Sequence, residues 1–346
     1  MGTNLREAVF RRLYSGVNYR LRTLAGGRFA GHCRPTSIAL LMTELCNARC
    51  IHCDIWKNRG PEDRPAFDDW KGVLRDLRRW LGPVQVVLTG GEALLNPDTL
   101  TLLAYGSSIG LFIEILSHGY WPDQSKIEAL AMARPARVTI SLDGIGETHS
   151  LVRGRRDFAG RTGQTIQTLR AMRQEHCPEM SIRLKTVIMQ QNLDDVCGLA
   201  DFAARNQLEV FYQPIEQNYN TAEDPGWFEH SSTWPLDTDR AVKVVRHLGD
   251  LKRQGLPIAN SARQLELMIL YFENPRASRV AVQSHTAHEG RLLCSAMTML
   301  QIQANGEVRI CAGRESIGNI KLQLIRNIWE SRPRWWREGC CLEQRL

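Results

Sequence analysis

Between Ser37 and Ile215 the sequence alternates six times between a short β-rich run and an amphipathic stretch, and nothing else in it constrains the fold as strongly. The β-rich runs cover residues 37–45, 84–88, 112–116, 137–142, 181–189 and 209–215. In the first intervening stretch Phe67, Trp70, Leu74, Leu77 and Trp80 make one apolar stripe at helical spacing, and Ile166, Leu169 and Met172 do so in another. Strand then helix, repeated, implies a parallel sheet with its chemistry at the C-terminal ends of the strands. Six repeats fall short of a closed eight-fold barrel. The expected fold is therefore α/β, a partial (β/α)6 TIM-like barrel over residues 37–216.

Residues 217–235 (QNYNTAEDPGWFEHSSTWP) break the rhythm with polar and turn-forming residues and read as a long connection or lid. Helices are expected at 237–253 and 262–272, which with the connection fill residues 217–289. Residues 290–346 form a cysteine-bearing C-terminal module. Ahead of the core, residues 1–36 make a basic amphipathic segment: Leu5, Val9, Phe10, Leu13 and Val17 fall at helical spacing among arginines. That segment is expected to dock on its own domain, with peripheral membrane contact as the alternative.

Ten cysteines stand in a chain of otherwise globular composition, 43% hydrophobic and 23% charged. The N-terminus lacks the apolar run of a signal peptide, and no stretch reaches the length of a membrane span. A cytoplasmic setting follows as the expectation, and there cysteines serve metals or thiol chemistry rather than disulfides. The net charge of +7 comes with dispersed arginines and no recognition motif, so nucleic acid is not expected as a partner. It suits either a plain solvated surface or an acidic partner such as a small electron carrier.

Directly after the first strand comes Cys46-x3-Cys50-x2-Cys53. Three close thiolates suit zinc or an iron–sulfur cluster. Zinc would need a fourth ligand, from His52 or Cys33, and usually draws its ligands as two pairs. Three cysteines on a [4Fe–4S] cluster leave one iron open to an outside ligand. Near the C-terminus, Cys294 and Cys311 flank LQIQANGEVRI, whose Asn305-Gly306 predicts a β-hairpin with a type I′ turn. Cys340 and Cys341 follow a helix expected to contain Ile325, Ile328 and Trp329. Cys177 and Cys197 are expected to pack inside helices, and Cys33 has no assigned role.

The CNARCIHC triplet after the first of six βα units resembles the signature of the radical S-adenosylmethionine (SAM) superfamily. Further matches occur in the family's order: Thr89-Gly90-Gly91-Glu92 after the second strand, Ser117-His118-Gly119 after the third, and Ser141-Leu142-Asp143-Gly144 after the fourth. The resemblance implies that Cys46, Cys50 and Cys53 bind a [4Fe–4S] cluster. It implies that SAM is contacted by His52, Gly90, Gly91, Glu92, Ser117, Ser141, Arg153 and Gln213. His52 departs mildly from the aromatic residue usual before the third cysteine. Asp143 either orients SAM, acts as a base or caps the next helix; Arg153 either grips a carboxylate or forms a surface ion pair. Asp143 and Lys185 are the catalytic candidates, and Tyr212 and Glu216 are further candidates at the barrel mouth.

The C-terminal spacing resembles the opening of a SPASM or twitch extension. It implies one auxiliary iron–sulfur cluster on Cys294, Cys311, Cys340 and Cys341, although the full SPASM cysteine series is not present. What the resemblance implies overall is reductive cleavage of SAM to a 5′-deoxyadenosyl radical, which abstracts hydrogen from a substrate C–H bond. The electron would come from an acidic donor such as flavodoxin or ferredoxin. The segment before the core is too short for a leader-binding domain, which favours a small polar metabolite as substrate. A peptide-modifying maturase is the alternative, and a non-catalytic zinc or iron–sulfur protein the remoter one.

Overall fold

Each of the six β-rich runs is a strand in the computed structural model, which describes residues 2–23, 29–60, 63–222, 224–275, 295–311 and 314–334. In chain order they are β1 (Ser37–Thr43), β2 (Gln85–Gly90), β3 (Phe112–Ser117), β4 (Arg137–Ser141), β5 (Ser181–Ile188) and β6 (Glu209–Pro214). The strands end one to two residues short of several expected limits because the last residues turn toward loops. The helices between them are α2 (Phe67–Leu81), α3 (Thr99–Ser108), α4 (Ser125–Met132), α5 (Glu147–Arg153), α6 (Phe158–Glu175) and α7 (Val196–Arg205). Strand and helix alternate as a (β/α)6 pattern requires, and the class is α/β.

The chain forms two compact units. One comprises Met1–Glu44, Gly60–Ile115 and Gln283–Leu346; the other comprises Leu45–Arg59 and Leu116–Val282. In the first, β1 pairs in parallel with β2 on one side and with β7 (Met299–Ile302) on the other, and β2 pairs in parallel with β3. From β7 the sheet continues antiparallel through β8 (Glu307–Arg309) to β9 (Gly318–Asn319). The C-terminal hairpin thus extends the sheet that β1 begins. Its turn is not the expected type I′. Gly306 N–H bonds to Gln303 O, and Gln303 N–H to Glu307 O, so the loop holds three residues. Gly306 alone there takes positive φ, at 86°. A type I turn closed by a left-handed glycine is the other common hairpin solution, and it also places glycine last.

On α2 the middle of the stripe is buried, with Trp70, Leu74 and Leu77 all under 5% exposed, and Phe67 at its start is half-buried. Trp80, at the stripe's margin, is half-buried and meets Trp329 of α10 (Ile325–Glu330) at 6.4 Å between ring centroids. The N-terminal segment is a helix, α1 (Gly2–Thr23). It docks through only part of the expected stripe. Phe10 lies against Gly82, Tyr14 donates to Pro35 O at 2.7 Å, and Asn18 is buried, while Val9, Leu13 and Val17 stay exposed. No helix among the described residues is long and apolar enough to cross a membrane.

In the second unit β4, β5 and β6 pair in parallel, in register Ser141↔Lys185↔Phe211. Both later helices form, as α8 (Thr238–Arg253) and α9 (Ala262–Glu273), each with a side chain accepting from its first turn: Asp237 from Arg240 N–H, Ser261 from Gln264 N–H. Beyond β6, residues 256–260 cover the strand edge, and Asn260 both accepts from and donates to the Tyr212 backbone.

Candidate active site

In the second unit the cysteine loop is held by the end of α5, by His118 and by residues 218–220. Arg49 N–H and Ile51 N–H donate to Arg153 O and Val152 O at the end of α5, at 3.1 and 3.0 Å. Asn47 Oδ1 lies 2.6 Å from His118 Nε2. Because Nδ1 of that ring accepts from Tyr120 N–H, the proton sits on Nε2 and His118 is the donor. Past the third cysteine, Asp54 N–H donates to Tyr219 O, Asn218 reaches Ile51 O, and Asn220 reaches Asn58. The connection expected as a lid therefore starts as a brace for the cysteine loop.

The loop lies so close to α5 that only glycine fits beneath it. Gly154 closes α5 in the left-handed conformation, φ 75°, and a Cβ there would stand 2.3 Å from Arg49 O. Cys50 is buried with Ala48, Tyr120 and Phe158 in an apolar bed, and the half-buried Cys46 and Cys53 pack against the same bed. Burial, the largest effect, raises the Cys53 thiol; Ile55 N–H acts in the opposite sense.

Asp143 and Arg153 meet under this loop. Asp143, at the end of β4, is wholly buried and accepts from Val187 N–H at 2.9 Å. Its other oxygen is 2.5 Å from Arg153 Nη2, and Arg153 Nη1 donates to Cys50 Sγ at 3.4 Å. Burial would push the Asp143 carboxyl up, but Arg153, then His52 and His149, hold it below its ordinary value. Both surface alternatives fall: Arg153 is a buried ion-pair residue, and the N-cap of α5 is Gly146, not Asp143. His149, buried beside them, accepts from Asp143 N–H through Nδ1.

The other candidates in this unit sort by strand face. Ser141, Lys185 and Phe211 lie side by side across β4, β5 and β6, and all three are half-buried. Lys185 is near enough to help depress His52, whose ring is lowered to about 4, first by burial. Gln213 follows on the same face of β6. Tyr212 alternates to the opposite face, fully buried with its hydroxyl on Val196 O, so it is core and not a mouth residue. Glu216 is exposed. Ser117 is buried, and its hydroxyl accepts from Gly119 N–H and the Trp121 indole.

In the first unit Gly90, Gly91 and Glu92 follow β2. Gly90 has φ 142°, and a Cβ would stand 2.2 Å from Thr43 O. Gly91 N–H donates to that same carbonyl at 2.8 Å. Glu92 is buried and accepts from Leu94 N–H at 3.2 Å. At Gly90 the close approach of β1 is by itself enough to require glycine.

Residues 40–203 match the family model described as the Radical SAM superfamily. The chain carries a radical SAM domain. It is similar to the AdoMet-dependent heme synthase of Methanosarcina barkeri (strain Fusaro / DSM 804), 27% identical over 171 residues, 49% of this chain and 47% of that protein. It is similar to the PqqA peptide cyclase of Rhodopseudomonas palustris (strain ATCC BAA-98 / CGA009), 29% identical over 181 residues, 51% of this chain and 46% of that protein. The matches thus span about half the length of these curated relatives. In fold it is similar to Streptococcus suis SuiB, crystallised with the precursor peptide SuiA: TM-score 0.65 at 16% identity, over 95% of this chain and 70% of that one.

The cofactors of the radical SAM domain are a [4Fe–4S] cluster and SAM. The residues present fit them. Three cysteines share one bed, with a guanidinium N–H on one sulfur. Among the described residues no three His, Cys, Asp or Glu side chains converge as a single-ion cage. His52 Nδ1 and Arg153 Nε are buried polar atoms with no hydrogen-bond partner among the described residues, as a polar ligand would require.

Of the auxiliary set, Cys311 is half-buried after β8; Cys294, Cys340 and Cys341 lie outside the described residues. Cys177 is buried but follows the end of α6, with its thiol on Ala131 O; Cys197 sits on α7 only half-buried. Cys33 is a packing residue whose carbonyl accepts from Trp329 and Arg332. Sequence reasoning passed over Asn47, Phe158 and residues 218–220. Asn47 lies inside the triplet itself, which was its only signal.

Proposed function

We propose that this chain is a radical SAM enzyme that modifies a C–H bond of a peptide. The observation that carries the reading is its likeness to a PqqA peptide cyclase, the higher in identity of the two relatives above. The SuiB fold, crystallised with a precursor peptide, is in keeping with it. The likeness to a heme synthase keeps a non-peptide substrate as the second reading.

Bound by this domain, the cluster and SAM supply a 5′-deoxyadenosyl radical for hydrogen abstraction. The chain's own part is to hold and orient. Cys46, Cys50 and Cys53 hold the cluster, on a loop fastened through Asn47 to His118 and by the carbonyls of Val152, Arg153 and Tyr219. Toward SAM the second unit offers His52, Ser117, Ser141, Arg153 and Gln213. Asp143, fully engaged by Arg153 and Val187, positions rather than exchanges a proton. Lys185 is the remaining candidate for proton transfer. Cys294, Cys311, Cys340 and Cys341 carry an auxiliary cluster, and an acidic flavodoxin or ferredoxin supplies the electron.

The test is 5′-deoxyadenosine release by the anaerobically reconstituted, dithionite-reduced protein with SAM. Candidate precursor peptides from short reading frames near the gene are compared with a metabolite pool. Peptide-stimulated release with a mass change in the peptide is expected. Stimulation by the metabolite pool alone would overturn the peptide reading, and a colourless, iron-free protein the radical SAM function.

A further inference from the structure

Arg153 carries a buried charge with two contacts of different meaning. Nη2 on Asp143 is the compensation any buried guanidinium requires. Nη1 on Cys50 Sγ is not needed for that purpose. The geometry is also directed: α5 ends at Gly154 under the cysteine loop, and the carbonyl of Arg153 accepts from Arg49 N–H. Backbone and side chain of one residue thus grip the same loop. Val187 N–H fixes one Asp143 oxygen, leaving the other to fix the guanidinium.

A hydrogen bond and a nearby positive charge on a ligand sulfur favour the electron-richer state of an iron–sulfur centre. The Asp143–Arg153 pair is a dipole with its positive end toward Cys50. We infer that Arg153, held in place by Asp143, is a positioning residue that raises the reduction potential of the cluster through Cys50. The inference rests on Cys46, Cys50 and Cys53 being the cluster ligands. It gives the Asp143–Arg153 pair a role apart from binding SAM.

The experiment is a redox titration of the reconstituted full chain, followed by electron paramagnetic resonance without SAM or substrate. The double variant Asp143→Asn/Arg153→Gln removes the pair without leaving a lone buried charge; Arg153→Lys keeps the charge but not the planar fork. The double variant is expected to keep its iron and sulfide and to titrate at a more negative potential, with Arg153→Lys between it and the wild type. A fully loaded double variant at the wild-type potential overturns the inference.

Where the double variant holds no cluster, the wild-type protein decides, grown with 15N-arginine. Pulsed resonance of its reduced cluster is expected to show 15N coupling that survives Arg49→Lys, and absence of that coupling overturns the inference. A wild-type chain that takes up no iron defeats the ligand assignment instead, which is a separate result.

Discussion

His118 and His149 show how a buried ring becomes a fixed structural part. Each accepts a backbone N–H through Nδ1, from Tyr120 and Asp143 respectively, so a second proton has no place to go. Burial, with Arg153 adding to it, lowers both from 6.5 to about 3. The unfolded chain takes up these protons near the ordinary value and the folded chain does not. Stability from the neutral rings is therefore full above pH 6.5 and declines as pH falls toward 3, by up to about 1.4 kcal/mol per pH unit for each ring. Urea denaturation of the cluster-free chain between pH 7 and pH 5 measures the slope, and His149→Gln is expected to make it shallower. A flat profile would mean the rings are not buried neutral. At Gly154 the constraint is steric: Ala in a left-handed conformation costs about 1–2 kcal/mol, and its Cβ would push on Arg49 O as well. Gly154→Ala is expected to lower Tm and to reduce iron uptake after reconstitution. Unchanged iron content would show that the loop does not depend on α5.

At the level of elements, the strands were legible because period-two and period-3.6 patterns are local, and each of the six runs carries its own. The C-terminal helix α10 was legible for the same reason, from Ile325, Ile328 and Trp329. What Trp329 does was not. Its indole donates to Cys33 O at 3.0 Å, a partner far away in sequence, and its ring meets Trp80. Trp329→Ala is expected to cost about 3–5 kcal/mol, the range for emptying a buried aromatic site; chemical denaturation measures it. A loss under about 1 kcal/mol would deny Trp329 a place in the core. The site divides the same way. Cys46, Cys50, Cys53, Gly90 and Ser141 announce themselves by spacing and order. The brace made by Asn218, Tyr219 and Asn220 does not, because polar residues in a long connection look alike until the chain has folded. Asp143 and Arg153 stood out as residues, but their pairing depends on how the turn from β4 into α5 folds back, which no motif encodes. The stripe on α1 misled in part because helical spacing alone does not say which side is covered: Phe10, with Tyr14 and Asn18, lies on the covered side, and Val9, Leu13 and Val17 do not.

The molecule as a whole carries a net charge of +7, spread across many arginines. If an acidic carrier delivers the electron, raising ionic strength from about 0.05 to about 0.5 M is expected to slow cluster reduction severalfold, because the Debye length shrinks below the span of the encounter. Stopped-flow absorbance with reduced flavodoxin measures this, and a neutral photoreductant serves as the control. Equal rates at both salt concentrations would remove charge steering from the account. The placement of β7 beside β1 bears on how the chain is made. β1 leaves the ribosome early, yet the partner that covers one of its edges, Met299–Ile302, is translated only after all the other parallel strands. Through most of synthesis that edge of β1 offers open backbone hydrogen bonds along an apolar strand, the kind of surface that recruits other chains. Slowing translation between residues 90 and 299 should therefore raise the insoluble fraction, and holding β1 in a chaperone until β7 appears should lower it.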